Sequence, residues 1–305
     1  MKLFITGHDG FIGKAILPKI TSHQIGLLQS DLRDTKKVEQ EIIDFDPTHV
    51  LHLGALSEVA HSFSRPLDYA YIDYIGTINL IESIQKNCKN FQHFLFPSTM
   101  EVYGWQTISD RIKNKEKFNT EIFDENTIPN PNSPYAISKL ACEKYLEYMY
   151  RTKGFPFTAV RQTNTYGRTE NDFFITEAII TRMLKNSEKI VVGDIEPYRN
   201  FLHVDDLIRA WLTILENPKS SIGKIYTVGP NNPIQIKDYI KIIQQKLNWK
   251  GIIEQNTEFF RTGEIYWLNS DCAQIRKDLG FEPIITIDQG LDRTIAHWKN
   301  VIRKN

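Results

Sequence analysis

Short, continuously apolar runs alternate along this chain with longer stretches in which apolar residues recur every three or four positions. Lys2–Thr6 is one such run, and Ile12, Ile16 and Ile20 then mark a helical face. The pattern repeats three times. The helical stretch Thr35–Phe45 precedes the apolar run His49–Gly54, the stretch Tyr71–Cys88 precedes His93–Pro97, and Tyr135–Lys153 precedes Phe157–Arg161. Strands that alternate with helices of this length predict an α/β fold: a parallel sheet covered on both faces.

From about Tyr166 the pattern is less regular. It predicts helices near Thr176–Lys185, Val204–Glu216, Ile236–Leu247 and Asp288–Lys299, with strands at IVVG and KIYTVG. No composition shift marks a linker, so this part is expected to be a smaller lobe packed on the first.

Composition narrows the function classes. The 305 residues are 41% apolar and carry 37 basic against 37 acidic side chains, which leaves no electrostatic footprint for nucleic acid. The densest basic run, Arg111–Lys117, is interrupted by polar and acidic residues and is expected to be a solvated surface. Three cysteines, Cys88, Cys142 and Cys272, lie far apart, in neither a disulfide framework nor metal-ligand spacing. No metal site is expected. MKLFITG enters the strand pattern at once, and no apolar run reaches the ~18 residues of a membrane span. The expected location is the cytoplasm.

Candidate chemistry begins at TGHDGFIG. Gly7, Gly10 and Gly13 fall between a strand and a helix, where glycine permits a tight turn and close approach of backbone N–H groups to a pyrophosphate. An acidic residue about 20 positions further on normally holds the adenosine ribose. Asp31 is at that distance, and it either closes the second strand to bind the ribose or opens the next crossover with a unit of the fold trimmed away. The second alternative is favoured, which leaves NAD against NADP open. Further on, Tyr135 and Lys139 are four apart at the start of a helix and share one face. A cation held near a phenol lowers its pKa and lets tyrosine exchange a proton with a sugar hydroxyl.

With TGHDGFIG, DLRD, HLGALSEV, GTINLIES, STMEVYG, PYAISKLACE, RQTNTYG, PYRNFLHVDDLIRA, YTVG and RTGEI in this order, the chain resembles the extended short-chain dehydrogenase/reductases that act as nucleotide-sugar epimerases and dehydratases. The resemblance covers nearly the whole chain. It implies a Rossmann-type doubly wound sheet over residues 1–165, with a return of about 195–225 to it. Residues 166–305 would mainly form the lobe that binds a nucleoside-diphosphate sugar, and a homodimer would form through helices of the first domain. It implies an NAD or NADP site at Gly7, Gly10, Phe11, Ile12, Gly13, Asp31, Leu32, Leu53, Gly54 and Ala55, completed by Tyr135 and Lys139. Thr99 would bond the sugar's 4-hydroxyl, Tyr135 would exchange its proton as hydride moves at carbon 4, and Lys139 would tune Tyr135 and hold the nicotinamide ribose. Asn164, Arg199 and Arg261 match substrate-binding positions, the arginines suited to a diphosphate by their forked geometry.

Three departures stand out. Gly54 replaces an alanine, Asp73 stands where asparagine is usual, and Asn200 follows Arg199 where aspartate is usual. A fourth concerns the reaction. Dehydratases of the family carry a base and an acid after the threonine, and here Glu101 is kept while Met100, which cannot donate a proton, fills the middle position. Met100 is expected to fill an apolar gap. The first expectation is 4,6-dehydration of an NDP-hexose with Glu101 as base, a GDP sugar being favoured by the stretch RTENDFFITEAIITRML. A 4-epimerase or an NADPH-dependent 4-ketosugar reductase, needing only Thr99, Tyr135 and Lys139, is the alternative, and a cofactor-binding module without turnover is a third. His52 is expected to be a satisfied core residue and His203 to end a strand before a helix capped by Asp205 and Asp206. Tyr145, Tyr148 and Tyr150 are expected at a helix surface or dimer contact, and Trp105 with residues 106–126 in a long excursion.

Overall fold

A computed structural model describes residues 1–104, 122–261 and 263–304. The basic run Arg111–Lys117, Trp105 and most of the excursion that follows it therefore lie outside the described residues. Five strands alternate with helices in the first half: β1 (Lys2–Thr6), β2 (Gln24–Leu27), β3 (His49–His52), β4 (His93–Thr99) and β5 (Phe157–Gln162). A sixth strand, Lys224–Val228, joins them much later in the chain. The parallel order is Lys224–Val228, β5, β4, β3, β1, β2.

Alternation along each strand builds two cores. Leu3, Ile5, Leu51, Leu95, Val160 and Val228 face the helix Val204–Glu216, whose Leu207, Ile208, Trp211 and Ile214 are buried against them. Phe4, Val50, Phe94, Phe96 and Ala159 face the opposite way, onto Val38, Ile42, Leu80, Ile84, Cys142 and Leu146 of three helices. Each such side chain, fully buried, contributes about 1.5–3 kcal/mol of transfer free energy.

The chain runs from β1 outward to β2 and then crosses back to β3 on the other side of β1. Ligands bind outside the carboxyl ends of strands at such a switch point. Asp31 opens this crossover, three residues before Asp34, whose side chain caps the helix Thr35–Phe45 by accepting from Lys37 N at 3.2 Å.

Two helices differ from the sequence expectation. The helix before β4 begins early, at Pro66, where the missing proline N–H costs nothing, and it widens to a π turn over Ala70–Ile75 before Gly76–Asn87. The last helix is longer than expected, Ile287–Lys304.

The smaller lobe has its own core of Ile179, Ile180, Ile190, Tyr239, Ile240 and Leu291 among others. Its strands pair two by two: Lys189–Val192 with Ile252–Gln255, Asn164–Tyr166 with Phe201–His203, and Tyr198–Arg199 with Ile234–Gln235. Phe201 stacks on Tyr239 with ring centroids 3.8 Å apart. Two segments from this half return to the large sheet. One continues through Val228, and a second, Cys272–Phe281, packs Cys272, Ile275 and Phe281 on the same face. His203 itself caps the helix Val204–Glu216, its Nδ1 accepting from Asp205 N at 3.2 Å, so Asp205 and Asp206 lie in the first turn and do not cap it. Asn200 ties two loops together, accepting from Ser270 N at 3.1 Å and donating to Pro230 O.

Candidate active site

The carboxyl ends of β1, β3, β4 and β5 open on one cavity of about 360 Å³. On the β1 side it is walled by Gly7, Gly10, Phe11, Ile12 and Gly13, and on the β3 side by Leu53 and Ala55. Gly7 has φ +62°, and a Cβ there would stand 2.6 Å from the backbone of Leu53 and Gly54, so the turn and the β3 loop close on one another only without a side chain. Thr6 Oγ1 accepts from Gly54 N at 2.8 Å and bonds His52 Nδ1 at 2.7 Å, while His52 Nε2 meets Thr77 Oγ1 at 2.8 Å. His52 is thus a satisfied core residue that braces both loops.

Strand β4 ends in Thr99, whose Oγ1 accepts from Glu101 N at 3.1 Å and turns the chain into the 3₁₀ segment Met100–Tyr103. That turn breaks the strand's alternation, and both Met100 and Glu101 border the cavity. Glu101 stands half-buried at the cavity wall. Met100 is 2% exposed and packs with Val102, Tyr103, Phe123, Trp267 and Leu268. Gly104 ends the segment with φ +52°, where a Cβ would meet Asn130 O at 1.8 Å. Burial pushes the Glu101 carboxyl up, against the pull of Arg199 and Arg261.

Tyr135 and Lys139 are delivered by the helix Pro134–Lys153. Ser133 caps it, accepting from Ala136 N at 3.2 Å, Pro134 opens the first turn, and Gly154 closes it in the left-handed region. Both side chains are buried and line the cavity with Thr99 and Glu101. Lys139 Nζ donates to Pro97 O at 2.9 Å and lies 4.8 Å from the Phe96 ring centroid. Burial, helped by the carboxyls of Asp73 and Glu101, pushes Tyr135 well above the usual phenol range, and burial pushes Lys139 down. Tyr135 is therefore a protonated donor at neutral pH.

Asn164 and Arg261 also border the cavity. Arg199 does not: it is buried behind Glu101, paired with Glu264 and donating to Ile265 O at 2.6 Å and Tyr198 O at 2.8 Å. Asp31 is half-exposed and engaged by Arg33 at 2.6 Å, which lowers its carboxyl to about 2. Leu32 is buried in the core beside Gly54 and Gly76, so neither residue is on the cavity wall.

Other polar groups at the cavity were not singled out from the sequence. Gln162 Oε1, Thr163 Oγ1 and Asn171 Oδ1 are buried without a hydrogen-bond partner. Arg168 lies between the rings of Phe11 and Phe174, at 4.6 and 3.5 Å, its Nε buried and unpartnered. The only signal for them was their position in RQTNTYGRTEND. Such orphaned polar atoms facing a glycine turn fit a large polar ligand with phosphate and amide groups, as a dinucleotide has. Among the described residues no helix is long and apolar enough to cross a membrane, and no cluster has the make-up of a metal site.

The profile of the family described as GDP-mannose 4,6 dehydratase matches residues 15–294. A GDP-6-deoxy-D-mannose reductase of Pseudomonas aeruginosa is 28% identical over 99% of both chains. A dTDP-glucose 4,6-dehydratase of Haemophilus influenzae is 26% identical over 98% of both. Among solved structures, RMD of Pseudomonas aeruginosa complexed with NADPH superposes with a TM-score of 0.82 at 26% identity, over 98% of this chain and 99% of that one. A UDP-glucose 4-epimerase of Thermotoga maritima with UDP-glucose gives 0.86 at 25% identity, over 99% and 100%.

Proposed function

Because the chain belongs to the GDP-mannose 4,6-dehydratase family of NAD(P)-dependent nucleotide-sugar enzymes, we propose that it exchanges hydride at carbon 4 of a nucleoside-diphosphate hexose and works as a 4-ketosugar reductase. NAD or NADP supplies or accepts the hydride when bound. The residues to hold it are the Gly7–Gly13 turn, Leu53, Ala55 and Lys139. Asn164 and Arg261 are assigned to the sugar nucleotide, and Arg199 acts at one remove, through the charge it presents to Glu101.

One observation carries the choice of reaction: Met100, which borders the cavity beside Glu101, has no proton to give, so the end of β4 offers a single carboxyl. Dehydration needs a base at carbon 5 and an acid for the departing 6-hydroxyl. Among the described residues, the other carboxyl at the cavity is Glu58, which is paired with His61 at 2.6 Å. Reduction asks for less. Thr99 hydrogen-bonds the 4-oxygen, and Tyr135, held protonated by burial, gives that oxygen its proton as the carbonyl is reduced. Lys139, at the same cavity wall, supplies when protonated a positive charge for the developing alkoxide.

A 4,6-dehydration remains the second reading, favoured by Glu101 at the cavity wall. The two separate in one set of assays. With NADPH and an NDP-4-keto-6-deoxyhexose, a reductase consumes one NADPH per sugar. With GDP-, UDP-, dTDP- and CDP-hexoses and no added cofactor, a dehydratase removes one water, read by mass spectrometry. Neither NADPH consumption nor water loss on any of these sugars rejects both. The exposed apolar side chains Ile75, Ile137 and Tyr148, on neighbouring helices, support a homodimer, which sedimentation tests.

A further inference from the structure

One buried arginine joins the glycine turn to the second lobe. Arg168 follows the strand Asn164–Tyr166 and borders the cavity, yet it is only 9% exposed. Its guanidinium plane is held from both sides: the carbon lies 3.5 Å from the ring centroid of Phe174 and 4.6 Å from that of Phe11, the residue after Gly10. Its backbone is fixed as well. Arg168 N donates to Glu177 Oε1 at 2.9 Å, and its carbonyl accepts from Trp298 Nε1 of the last helix at 3.1 Å. The two residues that follow are anchored too, Thr169 O accepting from His297 Nε2 at 3.0 Å and Glu170 pairing with Lys14 of the helix Phe11–Ile16.

The charge held in this clamp is incompletely satisfied. Nη1 donates to Thr165 O at 2.6 Å, while Nε is buried without a partner. The neighbouring carboxylate does not close the gap: Glu177 Oε2 stays 3.7 Å from Nη1 and has no hydrogen bond of its own, and Oε1 is taken by Gly167 N at 2.8 Å and by Arg168 N. Burial raises the Glu177 carboxyl, which weakens it further as a counter-charge. Burial also lowers Arg168, but only to about 10, so the guanidinium is charged at neutral pH. A buried cation with an open donor is costly unless an anion meets it, and a planar fork locked between two rings suits phosphate oxygens.

We propose that Arg168 is a cofactor-binding residue supplied by the second lobe, whose open edge takes an oxygen of the dinucleotide's pyrophosphate at the glycine turn and so ties residues 167–175 down over the bound cofactor. This rests on the assignment of the glycine turn to NAD or NADP made above, and not on the choice of reaction. A sugar nucleotide carries a diphosphate too. The cofactor is favoured because Phe11, one jaw of the clamp, belongs to the turn assigned to the cofactor, and because Lys14 and Glu170 join the same two segments.

The test separates the two diphosphates. Wild type and Arg168→Met, stripped of nucleotide, are titrated with NADH and with NADPH by nicotinamide fluorescence, and with GDP, UDP, dTDP and CDP by calorimetry. Methionine keeps an unbranched stem between the rings. The Kd of the cofactor that wild type binds is expected to rise about 10–100-fold, as loss of hydrogen bonds to a charged group does, and its release in stopped flow to quicken, with the nucleoside diphosphates unaffected. An unchanged cofactor Kd, or a loss confined to the nucleoside diphosphates, overturns the proposal. A wild type that binds neither NADH nor NADPH overturns it together with the cofactor assignment beneath it. The expected loss of affinity in a protein that turns over no sugar nucleotide upholds the contact and rejects the function. Should Arg168→Met not fold, Arg168→Lys decides: it keeps the charge without the planar fork, so the cofactor Kd must still rise, and an equal Kd overturns the proposal.

Discussion

The helix Pro134–Lys153 buries two charges one turn apart, Lys139 and Glu143, and the fold treats them in opposite ways. Glu143 is saturated: Ser98 Oγ donates at 2.5 Å, and Arg161 donates from Nε at 3.1 Å and from Nη2 at 2.7 Å, while Arg161 Nη1 reaches the Tyr103 hydroxyl at 3.2 Å. Lys139 has one neutral carbonyl as its hydrogen-bond acceptor among the described residues. A saturated pair has nothing left to offer a substrate and serves as scaffold under the Ser98–Tyr103 turn. An undersatisfied cation at a cavity wall can change its partners during a reaction. Burial alone does not separate the two, but hydrogen-bond completeness does.

The largest expected effect breaks the reactive side. Tyr135→Phe should lower turnover about 10²–10⁴-fold, as loss of a positioned proton donor does, with the melting temperature preserved; unchanged turnover would remove Tyr135 from the chemistry. On the scaffold side, Arg161→Met should destabilise the fold by about 3–5 kcal/mol in urea unfolding, because Glu143 is left buried and unpaired. Arg161→Met with Glu143→Met should recover most of that loss, and failure to recover would mean that the pair contributes more than charge cancellation.

Asp73 sharpens the contrast through pH. Its folded pKa, about 6, lies above the ordinary carboxyl value of 3.8, so its contribution to stability is full below the unfolded value and is lost as pH rises through about 6. Two units correspond to at most about 3 kcal/mol. Wild type should therefore lose stability relative to Asp73→Asn between pH 4 and 6.5, read as the difference of their melting temperatures across that window. The smallest effect belongs to Met100→Leu. A volume-conserving change in the apolar cluster should cost less than about 1.5 kcal/mol and leave turnover within a few-fold; a collapse of turnover would give the thioether a role that its packing denies.

What the sequence made legible follows from locality. Strand, glycine turn and helix are contiguous in TGHDGFIG, and the helix face of Tyr135 and Lys139 follows from four-residue spacing. The place of Met100 was half-legible: chemistry argued that the methionine fills an apolar gap, but the 3₁₀ turn that sets it in a buried cluster at the cavity wall is a departure from strand periodicity. Arg199 was out of reach, since its partner Glu264 is 65 residues away. The environment of Lys139 was equally hidden. Nothing in spacing shows that Glu143 is spoken for by Arg161, from a neighbouring strand, or that a π turn brings Asp73 to Ser138.

The late arrival of Lys224–Val228 in the sheet has a consequence for biosynthesis. Until that strand leaves the ribosome, β5 is an unpaired edge, and the apolar face of the sheet is covered only in stages, by the helix Val204–Glu216 before the strand and by the Cys272–Phe281 segment after it. Some three-quarters of the chain must be made before the first domain can close. A fragment that stops at residue 165 holds five of the six strands with β5 as an open edge and one apolar face uncovered, and is expected to aggregate.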